Sequence, residues 1–173
     1  MLKKIARFFF SIILAFIIVF GGFWVFFGDN VKEEYAAYKK SSAPILLYHA
    51  VGEPVEIEWP PGMILPASLF EEHLQYLTQE GYKIITVAEL AERLKFGYSV
   101  EKFVAMSFDD GYRNNHSEAL PLLKKYNAKA VISPIMYYCE SDCNTANRNT
   151  AYSNINFDEI SEMKNSGLIE FQN

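Results

Sequence analysis

The most prominent hydrophobic feature of the sequence is an uninterrupted apolar run near its beginning. Residues 8–27 carry no charged side chain, and a helix of about 20 apolar residues spans the hydrocarbon core of a bilayer. Lys3, Lys4 and Arg7 precede the run and acidic residues follow it, so the positive-inside rule places the N-terminus in the cytoplasm. The pattern predicts a basic N-terminus at 1–7, a transmembrane anchor at 8–27, a linker at 28–43 and an extracytoplasmic domain at 44–173.

A cleaved signal peptide is the alternative explanation of this pattern, because a basic start and an apolar stretch are common to both. The apolar run is longer than the usual h-region of about 7 to 15 residues. Phe26, Phe27 and Gly28 also make a poor cleavage site. We therefore expect a single-pass protein of the cell membrane, with secretion after signal cleavage as the alternative location.

From Pro44 onward, short apolar runs alternate with longer segments that begin with helix-capping pairs. The first run, Ile45–Tyr48, is continuously apolar, which is typical of a strand buried on both faces. Three polar residues are each followed three positions later by glutamate, which is the pattern of a capping box. They are Ser68 with Glu71, Thr86 with Glu89, and Asn156 with Glu159. Strands are predicted at 45–48, 82–85, 103–108, 130–133 and 168–171, and helices at 68–81, 86–96, 115–126 and 156–167.

Strands that alternate with helices predict an α/β fold with a parallel sheet, either open or closed into a barrel. In both arrangements, functional groups lie at the C-terminal ends of the strands. That rule singles out His49 and the segment after Met106. A polar stretch of roughly twenty residues after Ser133 is longer than most loops in a compact domain, so we expect a surface insertion or a functional lip there.

Composition narrows the range of partners. The formal charge is −5, and it becomes more negative once the cytoplasmic cations are set aside, which disfavours nucleic acid as a partner. Cys139 and Cys143 are the only cysteines. An exported location would allow them to pair, but their spacing does not fix the Cα separation that a disulfide needs, so pairing and two separate thiols both stay open.

Asp109 and Asp110 stand together just past a predicted strand, and Gly111 follows them. Neighbouring carboxylates on extended chain point in different directions, so one can bind a divalent metal while the other accepts a proton. A simple polar turn is the competing explanation. A metal-dependent phosphatase is less well supported, because no glycine-rich phosphate cradle accompanies the pair.

Several segments together resemble the polysaccharide deacetylase family, also described as the nodulation-protein deacetylase homology domain or carbohydrate esterase family four. The resemblance covers most of the chain from Pro44 onward. Its segments, in order, are Pro44–Val51, Phe70–Leu74, Gly81–Tyr82, Ile85–Thr86, Glu89–Leu90, Ser107–Tyr112 and Ala119–Tyr126.

The resemblance implies a partial distorted (β/α) barrel and a divalent metal, commonly zinc, that serves to remove N-acetyl groups from an amino-sugar polymer. Asp109 would be the general base and Asp110 a metal ligand. His49 and Tyr112 are candidates for lining the site, although a buried core position explains His49 equally well. Peptidoglycan, poly-N-acetylglucosamine and chitin-like polymers are all compatible substrates.

The other two histidines are weaker candidates. His73 lies on a predicted helix among polar residues, so a solvated helix face is the favoured explanation. His116 follows the aspartate motif by six residues; a surface role is favoured there too, although metal contact stays open.

One part of the family pattern is missing. In the family, a His-Ser/Thr-x-x-x-His motif supplies two further metal ligands after the strand that begins here near Leu168, whereas this sequence ends at Asn173. Since catalytic zinc usually has three protein ligands, we expect this chain alone to be a truncated domain that does not hydrolyse substrate. The alternative is a catalytically empty, membrane-anchored carbohydrate-binding or scaffold protein.

Overall fold

The computed structural model describes residues 28–53, 63–142 and 153–172. The chain divides into two compact units, Met1–Lys40 and Ser41–Asn173. Most of the segment expected to be a linker is helical: the helix, α1, covers 28–41, and all but its last residue belong to the first unit. None of the helices within the described ranges is long and apolar enough to cross a bilayer. The predicted anchor at 8–27 lies outside those ranges.

The second unit alternates strands and helices, as the hydrophobic pattern predicts. Its strands are β1 (Ile45–Tyr48), β2 (Ala50–Val51), β3 (Ile64–Leu65), β4 (Lys83–Ile85), β5 (Phe103–Asp110), β6 (Ala130–Pro134) and β7 (Ile169–Phe171). Its helices are α2 (Ala67–Gln79), α3 (Val87–Lys95), α4 (Leu120–Tyr126), α5 (Met136–Asp142) and α6 (Phe157–Asn165), with a π-helical segment at Asn115–Ala119 leading into α4.

The main sheet is parallel and is built around β5. Ser107 pairs with Leu47 of β1 on one side and with Val131 of β6 on the other. Strand β4 pairs with the first residues of β5, and β7 extends the sheet beyond β6. Strands β2 and β3 form a separate parallel pair. An α/β fold with a parallel sheet is therefore confirmed.

The hydrophobic core lies between one face of the sheet and helices α2 and α4. Alternate residues of β5 point into it, and Met106 and Phe108 are fully buried there. Phe70 and Leu74 of α2 pack against them from the helix side. Each fully buried side chain of this size stabilises the fold by about 1.5–3 kcal/mol relative to exposure. The core thus holds the central strand up to Phe108, the residue before the aspartate pair.

Two of the three predicted capping boxes are present. Thr86 and Glu89 cap α3 reciprocally, and Asn156 and Glu159 do the same for α6. The third prediction is wrong: α2 begins after Pro66 and has no side-chain cap. Pro66 occupies the N-cap position, and proline has no side-chain oxygen that could accept a hydrogen bond from the amides of the first turn.

Strand β1 also differs from the expectation. Ile45 and Leu47 are 53% and 58% exposed, while Leu46 and Tyr48 pack against the core. The prediction that β1 is buried on both faces is therefore wrong for the described residues. The reason is that β1 lies at the edge of the sheet, with helices covering only one of its faces in the described parts of the chain.

Candidate active site

The two aspartates are the last residues of β5. The strand therefore extends two residues beyond the end at 108 that the sequence pattern predicted. Asp109 pairs with Ser133 and Asp110 with Pro134 of β6. Strand alternation places Asp109 on the face opposite Met106 and Phe108, away from the main core. The pair therefore stands at the C-terminal edge of the central strand, where parallel α/β folds place their functional groups.

The chain turns sharply directly after the pair. Asp110 has a φ of 65°, a left-handed conformation that is uncommon for a residue with a side chain. Gly111 follows with a φ of 67°, and its N–H donates to the carbonyl of Asp109 at 2.8 Å. Strained backbone of this kind is found most often at functional sites. The chain thus leaves the direction of β5 at Asp110 itself.

Glycine is required at position 111 because the neighbouring strand is so close. A Cβ atom there would lie 2.7 Å from Cβ and 2.9 Å from Cα of Pro134. Real Cβ atoms do not approach backbone atoms that closely, so any side chain at 111 would push β5 away from β6. The glycine of the Asp-Asp-Gly motif is therefore needed for the close packing of β5 against β6.

A segment far along the chain secures this turn. The amide of Arg113 donates to the carbonyl of Ser153 at 2.7 Å, and the amide of Ile155 donates to the carbonyl of Gly111 at 2.9 Å. Between them, the side-chain amide of Asn154 donates to the carbonyl of Asp110 at 2.7 Å. Asn154 was not identified from the sequence, because it lies 44 residues from Asp110 and no local pattern marks the contact.

The carboxylate of Asp110 has a partner within its own turn. The phenol of Tyr112 donates to Oδ2 of Asp110 at 3.1 Å. Burial, the charge of Asp110 and this hydrogen bond together raise the pKa of Tyr112 to about 12. The phenol therefore stays protonated at physiological pH and acts as a hydrogen-bond donor that orients one carboxylate oxygen. Tyr112, a candidate for lining the site, lies in contact with Asp110.

His49 is close to the aspartates along the sheet edge. The register of β1 with β5 ends at Tyr48 and Phe108, and His49 and Asp109 are the residues that directly follow this pair in the chain. Neighbouring strands are about 4.8 Å apart. His49 is partly buried, and its role in lining the site stays a prediction.

The other two histidines have partners outside the aspartate pair. His73 Nδ1 lies 3.3 Å from the hydroxyl of Tyr48. His116 Nε2 lies 2.9 Å from Oε2 of Glu162, and this hydrogen bond, together with the charge of His116, holds the pKa of Glu162 below its usual value. Both histidines therefore connect elements of the fold.

Asn114 and Asn115, which follow the turn, are both buried. Asn115 is fully buried within the π-helical segment, and Asn114 accepts a hydrogen bond from the amide of Val51 through Oδ1 at 3.4 Å. Arg113 binds Glu159 of α6 at 2.9 Å. The helix predicted at 115–126 is present, but its first turn widens to a π-helix, a feature that is common beside functional sites.

The described residues do not by themselves make a complete metal site. Nowhere in the described ranges do three His, Cys, Asp or Glu side chains come together in a group able to hold a metal ion. Asp110 supplies one carboxylate, whereas catalytic zinc usually has three protein ligands. We therefore derive no reaction step through a metal from these residues alone.

Whether Cys139 and Cys143 form a disulfide stays open. Cys139 is fully buried in the main core. Cys143 lies outside the described residues.

Comparison with known proteins agrees with this geometry. Residues 97–173, which include the aspartate pair and its supporting segment, match the sequence model of the polysaccharide deacetylase family. YxkH of Bacillus subtilis, a candidate polysaccharide deacetylase, is 36% identical over 105 residues, which make up 60% of this chain and 36% of that protein. The poly-β-1,6-N-acetyl-D-glucosamine N-deacetylase of Escherichia coli K12 is 30% identical over 74 residues, or 42% of this chain and 11% of that protein.

A solved structure has the same fold. The deacetylase PplD of Streptococcus pyogenes, determined in complex with acetate, superposes with a TM-score of 0.62 at 30% identity, and the match covers 76% of this chain and 55% of that one. The chain thus spans about a third or less of the length of the curated relatives it matches.

Proposed function

We propose that this chain, which belongs to the polysaccharide deacetylase family, provides the general base and one metal ligand of an enzyme that removes N-acetyl groups from an amino-sugar polymer. One observation carries the proposal. Asp109 and Asp110 occupy consecutive positions at the C-terminal end of the central strand, and Asp110 has the left-handed φ of 65° at which the chain leaves that strand.

The two carboxylates suit different tasks. Asp110 has one oxygen held by Tyr112, which leaves the other available as a ligand in a preset orientation. Asp109 lies on the opposite face of the strand from the core and would accept the proton of the attacking water. Hydrolysis then breaks the C–N bond of the acetamide and yields acetate and a free amine. A bound divalent metal would supply Lewis-acid polarisation of the acetamide carbonyl.

The metal requirement depends on ligands other than Asp110. Zinc is the expected ion, as the family resemblance implies, and the remaining ligands would come from residues other than those described. We also propose that the parallel sheet forms part of a distorted barrel. In support, β5 is paired on both sides, while β1 and β7 lie at the ends of the path along the described strands.

An N-acetylglucosamine polymer is the substrate class that we propose. One relative acts, by its name, on poly-β-1,6-N-acetyl-D-glucosamine. The acidic sequence, with a formal charge of −5, suits a neutral polymer that becomes cationic as acetyl groups are removed. Peptidoglycan and chitin-like polymers have the same N-acetyl group and stay in the proposal as alternatives.

We further propose that the domain is tethered to the outer face of the cell membrane by residues 8–27. The apolar run and the basic residues before it support this location. Fractionation tests it: the protein should stay in the membrane pellet after alkaline carbonate washing. Release into the culture medium as a shortened chain would instead indicate signal cleavage.

Acetate release tests the activity. The protein is purified from the cells that make it, so that every segment it normally carries is present, and is incubated with a soluble β-1,6-linked N-acetylglucosamine pentamer and Zn²⁺. We expect acetate release that a chelator stops. Asp109→Asn should lower the rate by at least about 100-fold, the usual contribution of a general base, whereas Glu101→Gln, an exposed site at the other end of β5, should leave it unchanged.

A catalytically empty carbohydrate-binding protein is the second candidate. It is favoured by the lack of a three-ligand group among the described residues. In that case the purified protein binds the pentamer in the presence of chelator and releases no acetate with Zn²⁺, Co²⁺ or Mn²⁺. Acetate release at the same rate from the Asp109→Asn variant would contradict the role proposed for Asp109.

A further inference from the structure

An exposed aromatic surface lies beside the aspartate pair. Strand β6 ends at Pro134, and α5 begins at Met136 with two tyrosines in its first turn. Tyr137 is 77% exposed and Tyr138 is 47% exposed. We name these two residues the tyrosine platform. Aromatic rings usually bury most of their large apolar surface, so a tyrosine this exposed presents an apolar face to a ligand.

Backbone hydrogen bonds connect the platform to Asp110. The amide of Ile135 donates to the carbonyl of Asp110 at 3.3 Å, and the amide of Tyr138 donates to the carbonyl of Ile135 at 2.9 Å. Tyr137 is two residues beyond Ile135, so their Cα atoms are at most about 7.6 Å apart. The platform is therefore held next to the candidate active site by a short chain of contacts.

The two rings meet edge to face, and Tyr137 is the more exposed of them. Their centroids are 5.5 Å apart and their planes meet at 69°, an edge-to-face contact. In such a contact, the edge of one ring covers one face of the other, which leaves at least one face of each ring uncovered by its neighbour. A flat apolar face with a polar hydroxyl at its rim matches a sugar ring, whose C–H groups line one face and whose hydroxyls lie around the edge.

The chemistry of the neighbourhood favours an uncharged ligand. Residues 134–139 contain no charged side chain, and Ile135 and Met136 add exposed apolar surface. An anionic ligand such as a nucleic acid or a phosphorylated polymer would need lysine or arginine there. An N-acetylated sugar is uncharged and requires only apolar contact and hydrogen bonds.

We propose that the tyrosine platform stacks against a pyranose ring of the amino-sugar polymer and so holds a sugar beside the one whose acetyl group is removed. The identity of the ligand rests on the proposed function. Tyr137 provides the outer ring, and its apolar face is the part of the platform that contacts the sugar. The platform thus acts in substrate binding and takes no part in proton transfer.

The test is a binding measurement that does not depend on catalysis. The full chain, with ¹³C-labelled tyrosine rings, is titrated by NMR with the β-1,6-linked N-acetylglucosamine pentamer in the presence of chelator. We expect the Tyr137 ring signals to shift and Tyr137→Ala to weaken binding by about tenfold. Tyr137→Phe keeps the ring and should bind nearly as well as the unaltered protein. Tyr76→Ala is the matched control, because Tyr76 is 62% exposed near the end of α2.

The outcomes test the sugar-binding role of the tyrosine platform separately from the deacetylase activity. Equal affinity of the Tyr137→Ala and unaltered proteins, or no binding by the unaltered protein, would overturn the platform. Loss of binding in Tyr137→Phe equal to that in Tyr137→Ala would also overturn it, because the hydroxyl and not the ring face would then carry the contact. Acetate release tests the deacetylase activity separately. Binding through Tyr137 without acetate release would support the platform and contradict the deacetylase activity. Acetate release with an unchanged KM in Tyr137→Ala would support the deacetylase activity and contradict the platform.

Discussion

The phenol of Tyr112 donates a hydrogen bond to Oδ2 of Asp110, the residue two positions before it, at 3.1 Å. The contact is possible because Asp110 and Gly111 both have left-handed φ angles, which fold the chain back on itself. In an extended strand, side chains two positions apart point the same way but are separated by about 6.8 Å along the strand. The turn therefore creates the contact that orients the carboxylate.

The Tyr112–Asp110 contact predicts a change in tyrosine titration. Burial is the largest cause that raises the pKa of Tyr112 to about 12, and the charge of Asp110 and the hydrogen bond add to it. Ionising the phenol would place a second negative charge beside the carboxylate, so removing that charge should lower the pKa of Tyr112 toward its ordinary value of 10.0. We expect this shift in Asp110→Asn, followed by the ¹³C signal of the phenol carbon. An unchanged titration would contradict the contact; Tyr112→Phe identifies the signal.

Gly111→Ala should destabilise the domain strongly. An alanine there combines a left-handed φ of 67° with a Cβ atom 2.9 Å from Cα of Pro134. We expect the free energy of unfolding to fall by about 3 kcal/mol or more, from the conformational cost together with overpacking. Gly97→Ala isolates the first cost, because Gly97 has a φ of 69° and nothing within 4 Å of a Cβ; it should lose only about 1–2 kcal/mol. If urea unfolding shows equal losses for Gly111→Ala and Gly97→Ala, β6 shifts to make room for the new methyl group and overpacking adds no cost.

Neighbouring leucines on β1 should respond differently to truncation. Leu46 packs against the core, whereas Leu47 is 58% exposed. Leu46→Ala should lower the free energy of unfolding by about 2 kcal/mol, and Leu47→Ala by no more than about 0.5 kcal/mol. Urea unfolding of the two variants measures both. A large loss in Leu47→Ala would mean that both faces of β1 are covered in solution.

The stability that Glu89 contributes should disappear in acid. Burial raises the pKa of Glu89, but hydrogen bonds from Lys129 and from the amide of Thr86 outweigh it and hold the pKa below its ordinary value of 4.5. A lowered folded-state pKa means that the contribution is complete above the unfolded value and is lost as the pH falls through the folded one. Because the Lys129–Glu89 pair is partly exposed, we expect the contribution to be about 1 kcal/mol or less.

The comparison that isolates this contribution is Glu89→Gln, which keeps a capping acceptor and removes the charge. Urea unfolding at several pH values should show the unaltered protein to be more stable near pH 7, with the difference closing as the pH falls below about 4.5. High salt should reduce the difference at pH 7 as well, since exposed ion pairs are screened. A difference that persists at the acid end would mean that the side-chain amide fails to cap α3.

The sequence predicted most features whose decisive interactions are local, although the capping box predicted at Ser68 was wrong. The capping boxes at Thr86 and Asn156 link residues three apart, and both are present as predicted. The alternation of apolar runs with helical segments likewise predicted the α/β class, because burial of one face per element follows from periodicity. The Asp109-Asp110-Gly111 motif was identified at the end of its strand for the same reason.

Tertiary structure alone decided the features that depend on neighbours distant in sequence. Whether the second face of β1 is covered depends on which elements pack there, and an apolar run does not encode that. Asn154 reaches Asp110 across 44 residues, and Gly111 is confined by Pro134 on the next strand. The sequence by itself determined the elements and the identity of the aspartate pair. The packing of β5 against β6 and the segment at 153–155 decided its geometry, because hydrogen bonds and steric contacts between distant segments exist only once the chain is folded.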